Sequence, residues 1–414
     1  MMPRTAVVQT ENSALRRIRT LVLPGYLTAV LLVWGSVTLL YTLGWSRYFT
    51  EPVTGLIPLI LLVLLGTVVG FALLGGRLVS GRADRSRLTA ALSSGRSLAP
   101  LYRLIFIVWA GVAAVEIVLE GVPPLFRSFM GQGSDYNDYG LPSIHGLLLA
   151  MACALALIEQ AVRLNQGRQP FGPYTLVICF WLLLLIGRKH MIVIAVQLLL
   201  LLLAREVLRL SLARMMKWTA ALLAVVFVFG FLGDFRSNAG IGIKEKLKYI
   251  GPEWVPDAFV WIYSYLATPL ANWQNAHVNG HEGNDLFPWR VFAGLLPTVW
   301  SGDAVDQVVP GGNYPWLLTS SFNVSTGFIV PLVDSGMVGV FLYALLLGLV
   351  SAVLLGNARG LAGGLAYLVA YQCTIMMIFN NNFGNLNTVF QIPLLLILGQ
   401  RMIAESAEPA AREA

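Results

Sequence analysis

The sequence is short of charge and of cysteine, and each shortage excludes a class of protein. Of its 414 residues only 12% are charged, whereas 57% are hydrophobic and the mean hydropathy is +0.71. A soluble domain carries about twice that share of charged residues, so a soluble globular fold is excluded. The three cysteines, Cys153, Cys179 and Cys373, lie in apolar runs and have the spacing of neither a disulfide framework nor a metal site. A thiol-dependent transpeptidase is therefore disfavoured, and Cys373 is interpreted as a small core residue.

The sequence also lacks a recognisable cleavable leader and a nucleic-acid-binding footprint. Arg16, Arg17 and Arg19 precede a first apolar run that is too long for the core of a signal peptide and has no small-residue cleavage site. The net charge of +7 reflects arginine clusters at 77–96 and 205–217, which flank apolar runs and contain no interleaved aromatics. We therefore expect an uncleaved membrane protein whose partners include membrane lipids but no nucleic acid.

Apolar runs are what the sequence has in abundance. A run of about 20 apolar residues spans a bilayer as a helix, and roughly ten runs qualify, although the fifth and sixth are short. They lie at 21–43, 53–74, 101–120, 142–160, 173–187, 190–204, 218–233, 328–355, 361–379 and 388–403. The prediction is an all-α polytopic membrane protein with a long helical outer loop, in which residues 1–414 form a single integral membrane domain.

The charged residues predict the orientation of these spans. With a cytoplasmic N-terminus, about two thirds of the 28 Lys and Arg fall on the inside, as the positive-inside rule requires. Acidic residues such as Asp135, Asp234 and Asp303 fall on the outside. Both termini are then cytoplasmic, and residues 234–327, between the seventh and eighth spans, form a large periplasmic or extracellular loop. Loops of this length carry function more often than scaffold.

The outer loop is rich in aromatic residues, and two interpretations of them stay open. Rings at this density fit an ordered cap lying at the membrane interface. They also offer surfaces on which the apolar faces of sugars stack, and for that role we single out Trp273. The other rings are Trp254, Trp261, Tyr263, Tyr265, Trp289, Trp300, Tyr314 and Trp316.

Two histidines of the loop, His277 and His281, are four residues apart. On a helix that spacing would hold a metal ion. The intervening Val278-Asn279-Gly280 favours a turn, so a metal site is disfavoured. A general base is the preferred role, because an imidazole titrates near neutral pH and accepts a hydroxyl proton. A solvated loop histidine is the alternative.

The run at 182–204 is apolar enough to cross a membrane, yet Gly187-Arg-Lys-His190 interrupts it with three groups that can carry positive charge. A charge in a lipid-facing span costs about 2.5–3.5 kcal/mol, so it persists where there is water, a partner or a ligand. One interpretation is a turn between two short helices whose cations reach lipid headgroups. The other groups Arg188 with Arg236 and Arg290 as a receptor for a diphosphate, since guanidinium groups bind phosphate bidentately.

Polar residues also mark the outer ends of later spans. Asp334, near the start of the eighth span, requires a partner or a polar cavity. It would either pair with one of the arginines or act as a base. Asn380, Asn381 and Asn382 form the next outer turn, where their amides either bind sugar hydroxyls or are simply solvated.

Several motifs occur in a fixed order within residues 181–356. Asn323-Val-Ser-Thr326 is followed by Phe328, Pro331, Asp334-Ser-Gly336, Gly339 and Leu347-Gly348, and upstream lie Gly187-Arg188, Tyr265-Leu-Ala-Thr-Pro-Leu-Ala-Asn272 and Phe287-Pro-Trp-Arg-Val-Phe-Ala-Gly-Leu-Leu-Pro297. Together they resemble the motifs of bacterial oligosaccharide repeat-unit polymerases, the O-antigen and exopolysaccharide polymerases of the Wzy type. The sequence departs from the family pattern at Ser335, where the family usually has phenylalanine.

The resemblance implies a glycosyltransferase of the all-helical C-type (GT-C) architecture that works without metal or cofactor in the bacterial cytoplasmic membrane. Its donor and acceptor are undecaprenyl-diphosphate-linked oligosaccharides at the periplasmic face, and a chain-length regulator is a further expected partner. The acceptor hydroxyl requires a base, and a leaving diphosphate requires preorganised positive charge. The predicted site consists of His281, His277 and Asp334 as candidate bases in that order, Arg188, Arg236 and Arg290 for the diphosphate, and Asn380, Asn381, Asn382 and Trp273 for sugar.

Two alternatives to a polymerase stay open. An O-antigen ligase has a similar architecture and similar arginines but transfers the glycan to a different acceptor. A transporter or flippase for lipid-linked sugars would carry polar residues through the middle of the membrane and often repeated halves. In the sequence, polarity gathers at the outer face and no repeat is visible, which disfavours a transporter.

Overall fold

Almost all regular structure in the chain is helical. The structure, a computed structural model, describes residues 23–49, 51–74, 82–130, 139–206, 242–296, 314–319 and 324–404, together with positions 216, 223, 227 and 230. The helices of the first half are α1 Tyr26–Tyr41, α2 Ile57–Leu73, α3 Arg82–Ser93, α4 Pro100–Glu120, α5 Pro124–Phe129, α6 Ile144–Asn165, α7 Pro173–Leu184 and α8 Arg188–Ala204. Those of the second half are α9 Ile243–Lys246, α10 Asp257–Val278, α11 Ile329–Gly356, α12 Gly360–Ile375, α13 Leu386–Val389, α14 Gln391–Leu394 and α15 Gln400–Met402.

Local sequence explains where several of these helices begin and end. Helices α4 and α7 begin at Pro100 and Pro173, where the missing proline N–H is not needed. Helix α4 ends at Gly121, which has a positive φ of 78° and donates its N–H to Ile117 O at 3.0 Å. Turns of 3₁₀ helix lie at Val53–Leu56, Trp289–Leu295 and Met376–Ile378.

Within the described residues, five helical stretches are long and apolar enough to cross a membrane. They are Val53–Leu73, Pro100–Arg127, Ile144–Asn165, Ile329–Gly356 and Gly360–Ile378, and shorter apolar helices lie at Tyr26–Tyr41, Pro173–Leu184 and Lys189–Ala204. Side chains on the outside of α4 are apolar, with Ile107 65% and Val118 79% exposed. An exposed apolar face of this kind suits a lipid environment. The prediction of an all-α membrane protein is confirmed in this coarse form.

The predicted count of roughly ten spans stays a prediction. Most of the predicted span 218–233 lies outside the described residues. The predicted span 388–403 is divided into α13, α14, a π-helical turn at Leu395–Gly399 and α15. Pro393 accounts for the first division, because it has no N–H to donate and its ring crowds the carbonyl of Val389, the last residue of α13.

Two short strands are an addition to the all-α prediction. Ser97–Leu98 (β1) pairs antiparallel with Ile403–Ala404 (β2), in the register Ser97 opposite Ala404. The ladder joins the segment before α4 to the end of the C-terminal helical pieces. It has two residues on each side and leaves the helical fold class unchanged.

Helices α2 and α11 pack closely against each other at glycine residues. Gly66 and Gly70 lie one turn apart on α2 and face the backbone of α11. A Cβ added at Gly66 would lie 2.6 Å from Phe341 O, and one added at Gly70 would overlap Leu345 O. Gly348 of α11 lies equally close to the carbonyl of Thr67 on α2. Small residues at this spacing let membrane helices approach backbone to backbone.

The interior of the bundle contains buried amides, contrary to the expectation that polarity gathers at one face. Gln197 on α8, Gln372 on α12 and Gln391 on α14 are all 0% exposed. Gln197 Nε2 donates to Gln372 Oε1 at 3.2 Å and to Gln391 Oε1 at 2.9 Å. The sequence argument missed this cluster because single glutamines in long apolar runs do not change the mean hydropathy of the run.

The predicted outer loop 234–327 is largely part of the helical body where it is described. Helix α10 packs against α1, and Trp261, Tyr263 and Trp273 on it are buried. By contrast, Trp254 is 82% exposed and Trp289 55% exposed. An interfacial cap therefore fits the last two rings, whereas the rings of α10 are core residues.

Candidate functional site

Helix α11 is kinked directly after Asp334. Ser335 has φ −131° and ψ 15°, and Gly336 has φ 60° and ψ −153°, both outside helical values. The positive φ at position 336 favours glycine. A kink frees carbonyl groups from the helical ladder, and the Asp285 N–H donates to Asp334 O at 2.9 Å. The Asp334-Ser-Gly336 motif therefore fixes the segment that follows α10 against α11.

The same segment brings Arg290 to Asp334. Arg290 Nη2 forms an ion pair with Asp334 Oδ1. The Asp334 side chain is 0% exposed and the Arg290 side chain 22% exposed. A buried carboxylate requires a partner of opposite charge, so Asp334 holds the Arg290 guanidinium in place. Of the two roles considered for Asp334, the structure gives it the pairing role. The same contact removes it as a free base.

A tight turn connects α10 to this segment. Gly280 has φ 68°, and Gly283 packs on the carbonyls of Val333 and Asp334, where a side chain has no room. His277 Nδ1 pairs with Glu282 Oε1 across the turn. The predicted turn between the two histidines is confirmed. In the described part of the chain no three His, Cys, Asp or Glu residues come together as metal ligands.

Asn381 connects three parts of the site through its side chain. Its Oδ1 accepts hydrogen bonds from Tyr343 Oη at 2.6 Å and from the Gly384 N–H at 2.8 Å. Its Nδ2 donates to Val291 O at 3.2 Å. Asn381 therefore holds the turn after α12 against α11 and against the residue that follows Arg290.

A cleft of about 280 Å³ lies between these segments. Arg290 lines it together with the exposed Asn380, and Asn381 and Asn385 complete the polar wall. The remaining lining residues are Val291, Ala293, Gly294, Tyr314, Trp316, Ser325, Thr326, Ile329, Val330 and Gly384. The cleft thus combines one guanidinium, several amides and hydroxyls, and two aromatic rings.

The aromatic wall is fastened to α10 by two asparagines. Asn272 Oδ1 accepts the Leu318 N–H at 3.0 Å, and its Nδ2 donates to Val324 O at 2.8 Å. Asn275 Nδ2 donates to Trp316 O at 3.0 Å. The rings of Tyr314 and Trp316 lie 5.0 Å apart. Asn272, at the end of the Tyr265–Asn272 motif, therefore positions the wall of the cleft.

Two predicted sugar-binding residues are not available to a ligand, and we remove them from the site. Asn382 is 0% exposed, and its amide donates to Met376 O at 3.2 Å and Asn380 O at 3.1 Å, which makes it a scaffold of the turn. Trp273 is also 0% exposed and packs on Trp34 at a ring distance of 5.6 Å. A ring without an exposed face cannot stack on a sugar.

The turn between α7 and α8 lies at 185–187, so of the Gly187–His190 interruption only Gly187 belongs to it, and Arg188, Lys189 and His190 form the first turn of α8. Ile186 has a positive φ of 54°, and the Gly187 N–H donates to Leu182 O at 2.8 Å. Arg188 is the first residue of α8, and its side chain lies outside the described structure, as does all of Arg236. His190 is 5% exposed, so it is a core residue and not a headgroup contact. Of the three predicted diphosphate ligands, only Arg290 has a side chain that the structure describes, and it lies in the cleft.

Sequence reasoning missed the residues that support the site. Glu282, the partner of His277, follows a glycine turn that signals a reversal of the chain, and a reversal brings residues five apart together. Asn272 ends the Tyr265–Asn272 motif and Asn275 follows it by three residues, but the motif does not indicate which backbone groups the two amides bind. The sequence does not indicate that Tyr343 supports the site, because a tyrosine in an apolar span is typical of an ordinary core residue.

Comparison with known proteins adds no family to this geometry. No family model, no curated protein and no solved structure matches the chain, so the contents of the cleft carry the functional argument.

Proposed function

We propose that the chain is a membrane glycosyltransferase that extends lipid-linked glycans, a polysaccharide repeat-unit polymerase. The observation that carries the proposal is the cleft in which Arg290, oriented by the buried Asp334, lies beside exposed amide groups and two aromatic rings. The proposed donor and acceptor are undecaprenyl-diphosphate-linked oligosaccharides. The proposed location is the bacterial cytoplasmic membrane, with the cleft on the periplasmic side.

The guanidinium of Arg290 supports an anionic ligand. Asp334 occupies Nη2, whereas Arg290 Nε is buried and has no hydrogen-bond partner among the described residues. A buried donor without a partner is costly, and a guanidinium fork matches two oxygens of a phosphate. A diphosphate group at the cleft would satisfy the remaining donors of Arg290.

The other walls of the cleft support a sugar. Ser325 Oγ is buried and has no hydrogen-bond partner among the described residues, and Asn380 is exposed and lines the same cleft. Amides and hydroxyls bind sugar hydroxyls, and aromatic rings such as Tyr314 cover the apolar faces of a sugar. A ligand with a phosphate at one end and a sugar at the other fits this division.

The resemblance to repeat-unit polymerases supports the same substrate class. Four segments that carry it contribute residues to or beside the cleft: Thr326 and Arg290 line it, Asp334 pairs with Arg290, and Asn272 holds its wall. These segments lie between residues 265 and 336, and the fold brings them together at one cleft.

The proposed reaction is a single transfer. An acceptor hydroxyl oxygen bonds to the anomeric carbon of the growing glycan as the bond from that carbon to the diphosphate oxygen breaks. A base takes the hydroxyl proton, and undecaprenyl diphosphate leaves with the electron pair of the broken bond. Arg290 stabilises the charge that develops on the leaving group, and preorganised donors of this kind are the largest single source of catalysis in many enzymes.

Reconstitution tests the proposal. The purified protein in vesicles receives undecaprenyl-diphosphate-linked repeat units extracted from cells that lack it, and the products are separated by gel electrophoresis. We expect a ladder of chain lengths. A single addition to a different acceptor would identify a ligase, and movement of the lipid between leaflets without a new bond would identify a transporter.

The buried amide cluster favours a transporter as the second candidate. Gln197, Gln372 and Gln391 form a hydrogen-bonded group inside the bundle, and polar groups near the middle of the membrane are typical of transporters. Measuring the movement of lipid between the leaflets of the reconstituted vesicles distinguishes this candidate from a polymerase.

Arg188 provides a second test. We expect Arg188→Ala to abolish chain extension, because it removes a predicted diphosphate ligand while leaving the turn at 185–187 intact. Polymer ladders and the yield of folded, inserted protein are measured side by side. The control is Arg168→Ala, which alters an exposed arginine whose side chain has no described contact. An unchanged ladder from Arg188→Ala would remove Arg188 from the site.

A further inference from the structure

A second histidine–carboxylate pair lies outside the cleft, on α4 and α6. His145 Nδ1 lies 3.0 Å from both Oε1 and Oε2 of Glu116. Glu116 is 0% exposed, whereas the His145 side chain is 23% exposed. The Leu141 N–H donates a further hydrogen bond to Glu116 Oε1 at 3.1 Å. A buried carboxylate is therefore dedicated to a histidine that itself remains accessible.

The surroundings of His145 fix the imidazole ring. Gly140, with φ 115°, packs directly on the ring in the turn that leads into α6, where a side chain has no room. The Trp181 ring lies 6.1 Å away on another side. Trp181 is itself held by Trp109, at a ring distance of 5.3 Å. The imidazole is thus oriented before any ligand binds, as a catalytic base requires.

The hydrogen bonds assign the tautomer. A carboxylate only accepts hydrogen bonds, so the proton of neutral His145 lies on Nδ1. The lone pair is then on Nε2, which bonds to no residue in the described part of the chain. Glu116 also stabilises the imidazolium that forms when Nε2 takes a proton. An imidazole between a buried carboxylate and an accessible Nε2 is the arrangement of a general base.

The pair lies at the same end of the bundle as the cleft. A Cβ at Gly146, the residue after His145, would lie 3.9 Å from Cβ of Asn387. Asn387 follows Asn385, which lines the cleft, by two residues. Trp181, beside His145, lies in the last turn of α7, just before the turn that leads to Arg188. His145 thus lies near two segments, one of which contributes Asn385 to the cleft while the other leads to Arg188.

We propose that His145 is the general base of the transfer and that Glu116 is its positioning residue, an inference that rests on the proposed function. His145 Nε2 removes the proton from the acceptor hydroxyl as the oxygen bonds to the anomeric carbon. The bond from that carbon to the diphosphate oxygen breaks, and the diphosphate leaves with the electron pair. The proton remains on His145, paired with Glu116, until it passes to water.

The competing pair in the chain is His277 with Glu282. The carboxylate there is 27% exposed, so water screens its interaction with the imidazolium. Glu116 is 0% exposed, and its attraction to a protonated His145 is screened less. On this ground His145 takes precedence over His277 and over His281, the first base predicted from the sequence.

The experiment measures kcat and KM for lipid-linked repeat units in the reconstituted full-length protein. We expect His145→Gln to lower kcat by about 100-fold or more, because a general base usually accelerates a reaction by at least that factor. The KM should not change. Undecaprenyl diphosphate should raise the melting temperature of the variant as much as that of the wild type. Added imidazole should restore part of the turnover of His145→Ala.

Glu116→Gln separates catalysis from structure. The Gln amide oxygen still accepts the Leu141 N–H, so the melting temperature should not change, whereas kcat should fall at least about tenfold with the loss of charge. Glu120→Gln, which makes the same change one turn further along α4, is the matched control and should retain wild-type turnover. If Glu116 were only structural, Glu116→Gln would keep its kcat.

Two results overturn the inference in distinguishable ways. If the wild type builds no polymer, the proposed function fails and the role of His145 fails with it. If the wild type builds polymer and both His145→Gln and Glu116→Gln retain kcat, only the role of His145 fails. A large loss of kcat in His277→Gln but not in His145→Gln would assign the base to His277.

Discussion

Arg290→Ala is expected to abolish chain extension and to destabilise the protein at the same time. The substitution leaves the Asp334 carboxylate, 0% exposed, without its cation. Breaking a buried ion pair on one side costs about 3–5 kcal/mol, because the remaining charge is uncompensated. The same change removes the guanidinium from the wall of the cleft. Loss of activity in this variant alone therefore does not separate folding from chemistry.

A double substitution separates the two effects. Arg290→Met combined with Asp334→Leu replaces the pair with apolar side chains of similar volume, and such replacements are often neutral or stabilising. We expect its melting temperature in detergent to return toward the wild-type value while the polymer ladder stays absent. Arg168→Ala should match the wild type in both measurements.

Asp334→Asn changes the other member of the ion pair alone. The amide removes the negative charge but keeps the shape, so Arg290 stays without its ionic partner and loses its fixed orientation. We expect a melting temperature below that of the wild type, because Arg290 loses its counter-charge. It should stay above that of Arg290→Ala, because the Arg290 side chain is 22% exposed and water solvates part of its charge. Activity should fall at least about tenfold. If the double variant formed a normal ladder, Arg290 would be a structural cation and the proposed anion site would be wrong.

The sequence indicated that Asp334 either pairs with an arginine or acts as a base, but not that its partner is Arg290. An ionisable residue at the start of an apolar span is costly, and that cost marks Asp334. Arg290 is marked instead by its place in the Phe287–Pro297 motif and by the phosphate-binding geometry of a guanidinium. Their meeting depends on two backbone features, the kink at Ser335–Gly336 and the turn around Gly280–Gly283. A glycine indicates that a turn is permitted, whereas the direction of the chain after it depends on packing that the sequence does not display.

The three consecutive asparagines at 380–382 show that the sequence does not reveal which way each side chain of a turn points. Asn380 is exposed at the cleft, Asn381 connects three segments through its amide, and Asn382 is buried beneath them. Identical side chains in consecutive positions have three different roles, because the turn points each in a different direction. The error for Trp273 has another cause: the sequence predicts a helical loop outside the spans, whereas α10 in that segment packs on α1 and buries Trp273 in the core.

The contact of α2 with α11 at Gly66, Gly70 and Gly348, called the seam below, leaves no room for a side chain at Gly70. A Cβ there would overlap the carbonyl oxygen of Leu345, a backbone atom that moves only if the helix moves. Even modest overpacking in a core costs about 1–3 kcal/mol. At this seam the whole helix would have to shift, so we expect Gly70→Ala to lower the melting temperature strongly and to reduce the yield of folded protein.

Gly111→Ala is the matched control, because Gly111 lies in helix α4 with no atom within 4 Å of an added Cβ. Alanine favours a helix over glycine by about 1 kcal/mol, so this variant should be as stable as the wild type or more so. The two substitutions are chemically identical and should have opposite signs. Equal melting temperatures would mean that the helices of the seam are further apart than the structure places them.

A substitution that shifts α2 against α11 should lower the rate of glycan extension as well as the stability. Helix α11 carries Asp334 on one side of its kink, and on the other side Leu345 and Gly348 pack on α2. A shift at Gly70 is therefore transmitted along α11 to the carboxylate that holds Arg290. We expect the small folded fraction of Gly70→Ala to extend glycans more slowly per molecule than the wild type, whereas Gly111→Ala keeps the wild-type rate. A lower rate per folded molecule would show that the contact of α2 with α11 positions the cleft as well as stabilising the fold.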